Sequence, residues 1–255
     1  MIVALTREPA GTLDACELTH RAREPIDAAA AAAQHRGYRA ALEACGARVV
    51  TLPPAAEFPD SVFVEDTAIV LDEVAVLTRP GAESRRGEVS LIEPEVARFR
   101  PFVRIEPPAT LDGGDVLRLG RTLYVGLSPR TNASGAGALG RLAAPHGYEV
   151  RTVEPRGCLH LKTGCAALDE GTVLVNPEWV DAAVFRGREV VAVDAAEPWA
   201  ANVLRVGRSV CVSAAFPRTA ALLSARGYDV RAVDVSEFAK AEGGLTCMSL
   251  LFRQP

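Results

Sequence analysis

No stretch of this 255-residue chain approaches the roughly 20 apolar residues that span a bilayer. The opening MIVALTREP is apolar for five residues before Thr6 and Arg7, so it does not read as a signal peptide. Basic runs are missing too. None is longer than SRR at 84–86, and the net charge is −4, which argues against a nucleic-acid surface. Cys16, Cys45, Cys158, Cys165, Cys211 and Cys247 form no CxxC pair, and no His/Cys cluster has zinc spacing. No metal or other cofactor is therefore expected, and free thiols point to the cytoplasm. Cys16, Cys45 and Cys211 read as small apolar fillers. A Ser/Gly-rich linker is also lacking, so one domain over residues 1–255 is expected, a length that permits a large core.

What the chain does have is a repeat. ALEACGARVVTLPP, LAAPHGYEVRTVEP and LLSARGYDVRAVDV each read as a helix stopped by a glycine and followed by a β-branched strand. The glycines are Gly46, Gly147 and Gly227. The first helix falls in the Ala-rich IDAAAAAAQHRGYRAALEAC, weakened by Gly37. A second unit is a hairpin, in DTAIVLDEVAVLTRP, DVLRLGRTLYVGLSP, GCAALDEGTVLVNPE and NVLRVGRSVCVSAAFP. Each ends near a proline, at 80, 129, 177 and 217, with spacings of 49, 48 and 40. Four strand–strand–helix–strand units result. A fifth forms if MSLLF pairs with IVALT, which would join the two chain ends and close a ring without free sheet edges. A doubly wound parallel sheet is the competing architecture, and the hairpins argue against it.

Polar residues recur at one phase of the repeat, where the first strand of each hairpin begins. They are Glu65 and Asp66, then Asp112 and Asp115, then His160, Asn202 and Cys247. Taken singly, each has a bland reading: Cys247 as a core residue, His160 as a structural histidine, DGGD as a tight turn, Arg85 and Arg130 as surface charges. Shared phase around an axis would instead bring them to one central pocket. There Cys247 could serve as a nucleophile if a cation or base activates it. His160 could act as acid and base, and Asp112 could orient it. Gly113, Gly114, Gly243 and Gly244 would let backbone approach a ligand closely.

FPDSVFVEDTAIV, LTRPGAESRRGEV, LDGGDVLRLGRTLYVGLSPRTNASGA, LHLKTG, AANVL and GGLTCMSLLF together resemble the dimethylarginine dimethylaminohydrolases. These are guanidine-modifying enzymes of the pentein fold, a five-bladed α/β-propeller of pseudo-symmetric ββαβ repeats around a central active-site pocket. The resemblance runs in order from LTREP to CMSLLF. It implies hydrolysis of asymmetric dimethylarginine or monomethylarginine to citrulline plus dimethylamine or methylamine, without a cofactor. By that resemblance Cys247 attacks the guanidinium carbon to give a thiouronium, and His160 protonates the leaving amine and then activates water. Asp66 grips the guanidinium. Asp60, Arg85 and Arg130 hold the amino-acid end. Glu65 and the backbones of Leu18 and Ala241 are further contacts, and Phe63 lines the pocket. Two departures stand out. Asp112 replaces the longer Glu of some relatives and would reach His160 less directly. Glu242 replaces a frequent Asp, in SEFAKAEGG, which reads as part of the lid. Partner expectations are a small guanidino amino acid, no nucleic acid and no membrane, with a homodimer left open. An arginine or guanidine deiminase releasing ammonia, and a non-catalytic amino-acid binder, are the competing functions.

Overall fold

The structure is a computed structural model and describes residues 1–254. Its first blade begins with β1 (Ile2–Arg7), α1 (Ala28–Ala44) and β2 (Ala47–Leu52). The second comprises β3 (Ala68–Val70), β4 (Ala75–Leu77), α2 (Glu88–Val96) and β5 (Phe102–Arg104). The third has β6 (Val116–Leu119), β7 (Thr122–Gly126), α3 (Ala133–Ala143) and β8 (Glu149–Val153). A single turn, α4 (Leu161–Gly164), leads into the fourth, made of β9 (Cys165–Ala167), β10 (Thr172–Val175) and β11 (Glu189–Ala192). The fifth contains β12 (Leu204–Val206), β13 (Ser209–Ser213), α5 (Pro217–Ala225) and β14 (Asp229–Val233). After α6 (Ser236–Lys240), β15 (Leu250–Arg253) returns to the first blade.

Among the described residues these strands make five three-stranded sheets. In each, the first pair is antiparallel and the third strand runs parallel to the second, as in β6–β7–β8. Closure follows the same rule: β15 lies antiparallel to β1, with Ile2 opposite Arg253, and β2 runs parallel to β1. The expected five-bladed α/β-propeller is the fold. Among the described residues no helix is long and apolar enough to cross a membrane.

Strand alternation explains why the blades form a ring. Leu123 and Val125 of β7 enter the core on one side of their sheet, and Tyr124 enters the core on the other. Likewise Val210 and Val212 of β13 face one neighbour and Cys211 the other. Each core is therefore shared by adjacent blades. A buried Leu or Val contributes about 1.5–3 kcal/mol, and here each such residue also fixes a blade against its neighbour.

Local chemistry sets the helix ends. Asp27 caps α1 by accepting from the N–H groups of Ala29 and Ala30, and Ala31, His35, Tyr38 and Leu42 form its buried face. Gly46, Gly147 and Gly227 end the helical segments at φ of 87°, 77° and 88°. The fourth blade departs from the pattern. Its crossover is a 3-10 turn, Ala182–Phe185, where the others have an α-helix. That shorter crossover accounts for the proline spacing of 40.

Candidate active site

Cys247 sits in a turn three residues before β15, not on the strand itself. Its loop is held from several blades. The Tyr38 hydroxyl of α1 donates to the Leu245 carbonyl at 2.9 Å and lies 2.7 Å from Ser249 Oγ. The Glu65 N–H donates to the Cys247 carbonyl at 3.1 Å. Asn202 accepts from the Thr246 N–H, and Thr246 Oγ1 donates to Glu65 at 2.8 Å. The Gly244 N–H points at the sulfur, 3.4 Å away. Burial, followed by the charges of Glu65 and Asp66, pushes the Cys247 thiol up to about 12. A thiol held that high is neutral at neutral pH.

His160 ends the loop before α4. Its Nε2 lies 3.0 Å from Asp112 Oδ2, and its Nδ1 lies 3.9 Å from Asp66 Oδ1. Burial would lower the imidazole, but Asp66, Asp112 and Asp115 outweigh it and carry His160 up to about 9. The short arm of Asp112 is no handicap, contrary to the sequence expectation. The fully buried carboxylate is drawn in close by the Gly81 N–H at 2.8 Å, while its own N–H donates to Thr131 Oγ1. Asp115 acts one step back. It accepts from the Leu161 N–H at 2.9 Å and from Ser128 Oγ at 2.6 Å, which fixes the turn that follows His160. Burial raises Asp115 to about 6.

Asp66 receives the Gly114 N–H at 2.9 Å and Arg85 Nη1 at 2.6 Å. Burial opposes its ionisation, yet the charges of His160 and Arg85 hold it well below the usual carboxylate range. Arg85 is itself saturated. Nε and Nη2 grip Glu88, and Nη2 also donates to the Phe63 carbonyl at 3.1 Å. The geometry makes Arg85 a holder of Asp66 more than a free hand for a ligand.

A cavity of about 20 Å³ is lined by Asp60, Phe63, Asp66, Arg85, Arg130, His160, Ala241 and Cys247, among others. Residues 17–21 cover it. The Glu17 N–H donates to Asp60 Oδ2 at 3.0 Å, and Arg130 Nη2 reaches Thr19 Oγ1 at 3.4 Å. Burial raises the Asp60 carboxyl, and Arg85 works against that rise. Leu18 lies on the covering loop, half-buried against the core, and does not line the cavity. Glu65 is also outside it. Its oxygens are taken by Lys162 Nζ at 2.7 Å and Thr246, and it faces a channel of about 890 Å³ running between the first strands of the blades.

The glycines leave room for side chains around the site. A Cβ on Gly114 would stand 2.6 Å from His160 Nδ1, and one on Gly243 would stand 2.2 Å from the Phe63 ring. On Gly244 it would meet Asn202 Oδ1 at 2.4 Å. They let these side chains pack directly against backbone. SEFAKAEGG and residues 17–21 both border the cavity: Ala241, Glu242 and Gly243 line it from one side and Glu17 from the other, while Phe238 of α6 is fully buried behind them. Lys162 and Tyr38 went unread because nothing local marks them; Lys162 lies in the quoted LHLKTG, two residues after His160. Asp66, Asp112 and His160 offer ligand atoms within 4.8 Å of one another, a set that could hold a metal ion. All three atoms' carriers are already hydrogen-bonded to protein groups.

The family profile described as arginine deiminase matches residues 26–197. An N(G),N(G)-dimethylarginine dimethylaminohydrolase of Pseudomonas aeruginosa is 41% identical over 251 residues, covering 97% of this chain and 98% of that protein. Its namesake in Streptomyces coelicolor is 41% identical over 252 residues, covering 98% and 97%. A solved structure of the Pseudomonas aeruginosa enzyme, a Cys-to-Ser mutant complexed with citrulline, matches with TM-score 0.94 and 40% identity over 98% of both chains. Identity at this level over the full length, on the same ring of blades, makes the chain a member of the dimethylarginine dimethylaminohydrolases within the arginine deiminase family.

Proposed function

We propose that the protein hydrolyses N-omega-methylated arginines to citrulline, releasing dimethylamine or methylamine. The observation that carries this reading is a single buried pocket holding a thiol, a carboxylate-supported imidazole and an ionised aspartate. Asp66, kept charged at low pKa, accepts the guanidinium N–H groups. The arriving cation lies beside the Cys247 sulfur and lowers its pKa from about 12, so the thiol gives up its proton to solvent as substrate binds. The thiolate forms a bond to the guanidinium carbon.

His160, near 9, carries a proton at neutral pH. It delivers that proton to the departing amine as the C–N bond breaks, leaving an S-linked thiouronium and a neutral imidazole. The imidazole then takes a proton from water, whose oxygen bonds to the same carbon. As the C–S bond breaks, the thiolate departs, the new hydroxyl loses its proton to solvent to become the ureido carbonyl, and citrulline is released. Asp112 holds the Nε2–H and steadies the cation. Asp60 and Arg130 face the amino and carboxylate groups of the substrate. Six free cysteines suit a reducing, cytoplasmic setting.

The test is a side-by-side citrulline assay on asymmetric dimethylarginine, monomethylarginine and arginine, with the released amine identified. Citrulline and dimethylamine from the first, and little from arginine, is the expected result. Ammonia from arginine as the main activity would assign a deiminase instead.

A further inference from the structure

Glu242 is the one non-glycine residue with positive φ among the described residues, at 58°. Two glycines follow it, either of which would adopt that backbone without strain. A side chain kept at a position that penalises side chains calls for a reason. Its carboxylate supplies one. It accepts from three successive backbone N–H groups of the covering loop: Thr19 at 3.1 Å, His20 at 2.5 Å and Arg21 at 2.6 Å. Consecutive amides converging on one anion form a strong, directional cradle.

The dock behind Glu242 is anchored from several sides. Phe238 is buried, Glu237 accepts from the Asp27 N–H, and Lys240 Nζ donates to the Pro25 carbonyl at 3.1 Å. The root of the covering loop is thus fixed to α6, and its tip is held by Glu242. On the far side Arg21 lies over the Trp199 ring, 4.8 Å from its centroid. Beneath this cover the cavity of about 20 Å³ has room for about one water molecule. No amino acid can enter until the loop lifts, so the Glu242 bonds must break and re-form in each cycle.

We propose that Glu242 is a positioning residue for substrate capture, acting through the loop 17–21 that it clamps over the amino-acid end of the pocket. This rests on the hydrolase reading above. The clamp sets how well the closed complex forms and leaves the chemistry at Cys247 and His160 alone.

Glu242→Gly tests it, because glycine relieves the positive φ while deleting the carboxylate. Melting temperature should not fall. Tryptic cleavage after Arg21 and Arg23 in the ligand-free protein should accelerate at least about tenfold as local opening becomes easier. KM for methylarginine should rise at least about tenfold, with kcat changed less than about threefold. Glu242→Asp, which retains the anion, should recover most of both effects. Unchanged cleavage would overturn the proposal, since other tethers would then hold the loop. Faster cleavage with unchanged KM would also overturn it, since the loop would then not place substrate. An equal fall in kcat and kcat/KM would point to the chemistry instead. Were the wild type to turn over no methylarginine, the hydrolase reading would fail, and the protease ratio with the KM-like binding constant for citrulline would still decide the clamp.

Discussion

At one end of the propeller axis, a cavity of about 20 Å³ holds Cys247, His160 and Asp66 under a clamped loop. Toward the other, a channel of about 890 Å³ opens between the first strands. One set of pseudo-symmetric blades builds both. Glu65, Lys162 and Thr246 face the channel, whereas their chain neighbours Asp66 and Cys247 face the cavity. The wall between them is one residue thick. On the cavity side, burial and paired charges move a thiol to about 12 and an imidazole to about 9. On the channel side, ion pairs such as Arg118–Asp72 remain open to solvent. Reactivity here comes from exclusion of water by loops at one end of the ring, not from the ring itself.

The strongest way to sharpen that contrast is Cys247→Ser. Turnover should fall by more than about 10⁴-fold, with the melting temperature nearly unchanged, because an alcohol at this site is not ionised by a bound cation. Citrulline formation and a thermal melt check both halves. Breaking the wall should come next. Lys162→Met leaves the buried Glu65 carboxylate without its cation, and stability in urea should drop by about 3–5 kcal/mol. A loss below about 1 kcal/mol would mean that Glu65 stays solvated from the channel.

A subtler change tunes the closed end without opening it. In the proposed mechanism His160 must be protonated to expel the amine, so kcat/KM should decline as pH rises through about 9. Asp112 raises His160, so Asp112→Asn should move that alkaline limb down by about one pH unit. A pH–rate profile of the two proteins decides it; coincident limbs would remove Asp112 from this role. The smallest effect belongs to the channel mouth. Arg118→Ala removes an exposed pair with Asp72 and should cost about 0–1 kcal/mol with kcat/KM unchanged.

The ring was legible in the chain because it is written in local terms. Gly46, Gly147 and Gly227 mark helix ends, prolines mark hairpin ends, and the missing helix of the fourth blade shows as one short interval. Resemblance carried the list of site residues. Their directions were not legible. Glu65 and Asp66 are adjacent in sequence and point to opposite sides of a wall, which no periodicity announces. Tyr38 supports the Cys247 loop across 207 and 211 positions of chain, where only the folded ring brings them together. Glu242 and the loop it clamps are separated in the same way, by more than 220 positions.

The pairing of β15 with β1 has a consequence for how activity appears over time. Cys247 lies three residues from the strand that shuts the ring, and that strand must find a partner formed at the opposite end of the chain. Contacts this distant are slow to form, since the loop they close is nearly the whole protein. If that seam closes last, citrulline formation in a refolding experiment should lag behind the recovery of secondary structure; the two appearing together would place the seam earlier.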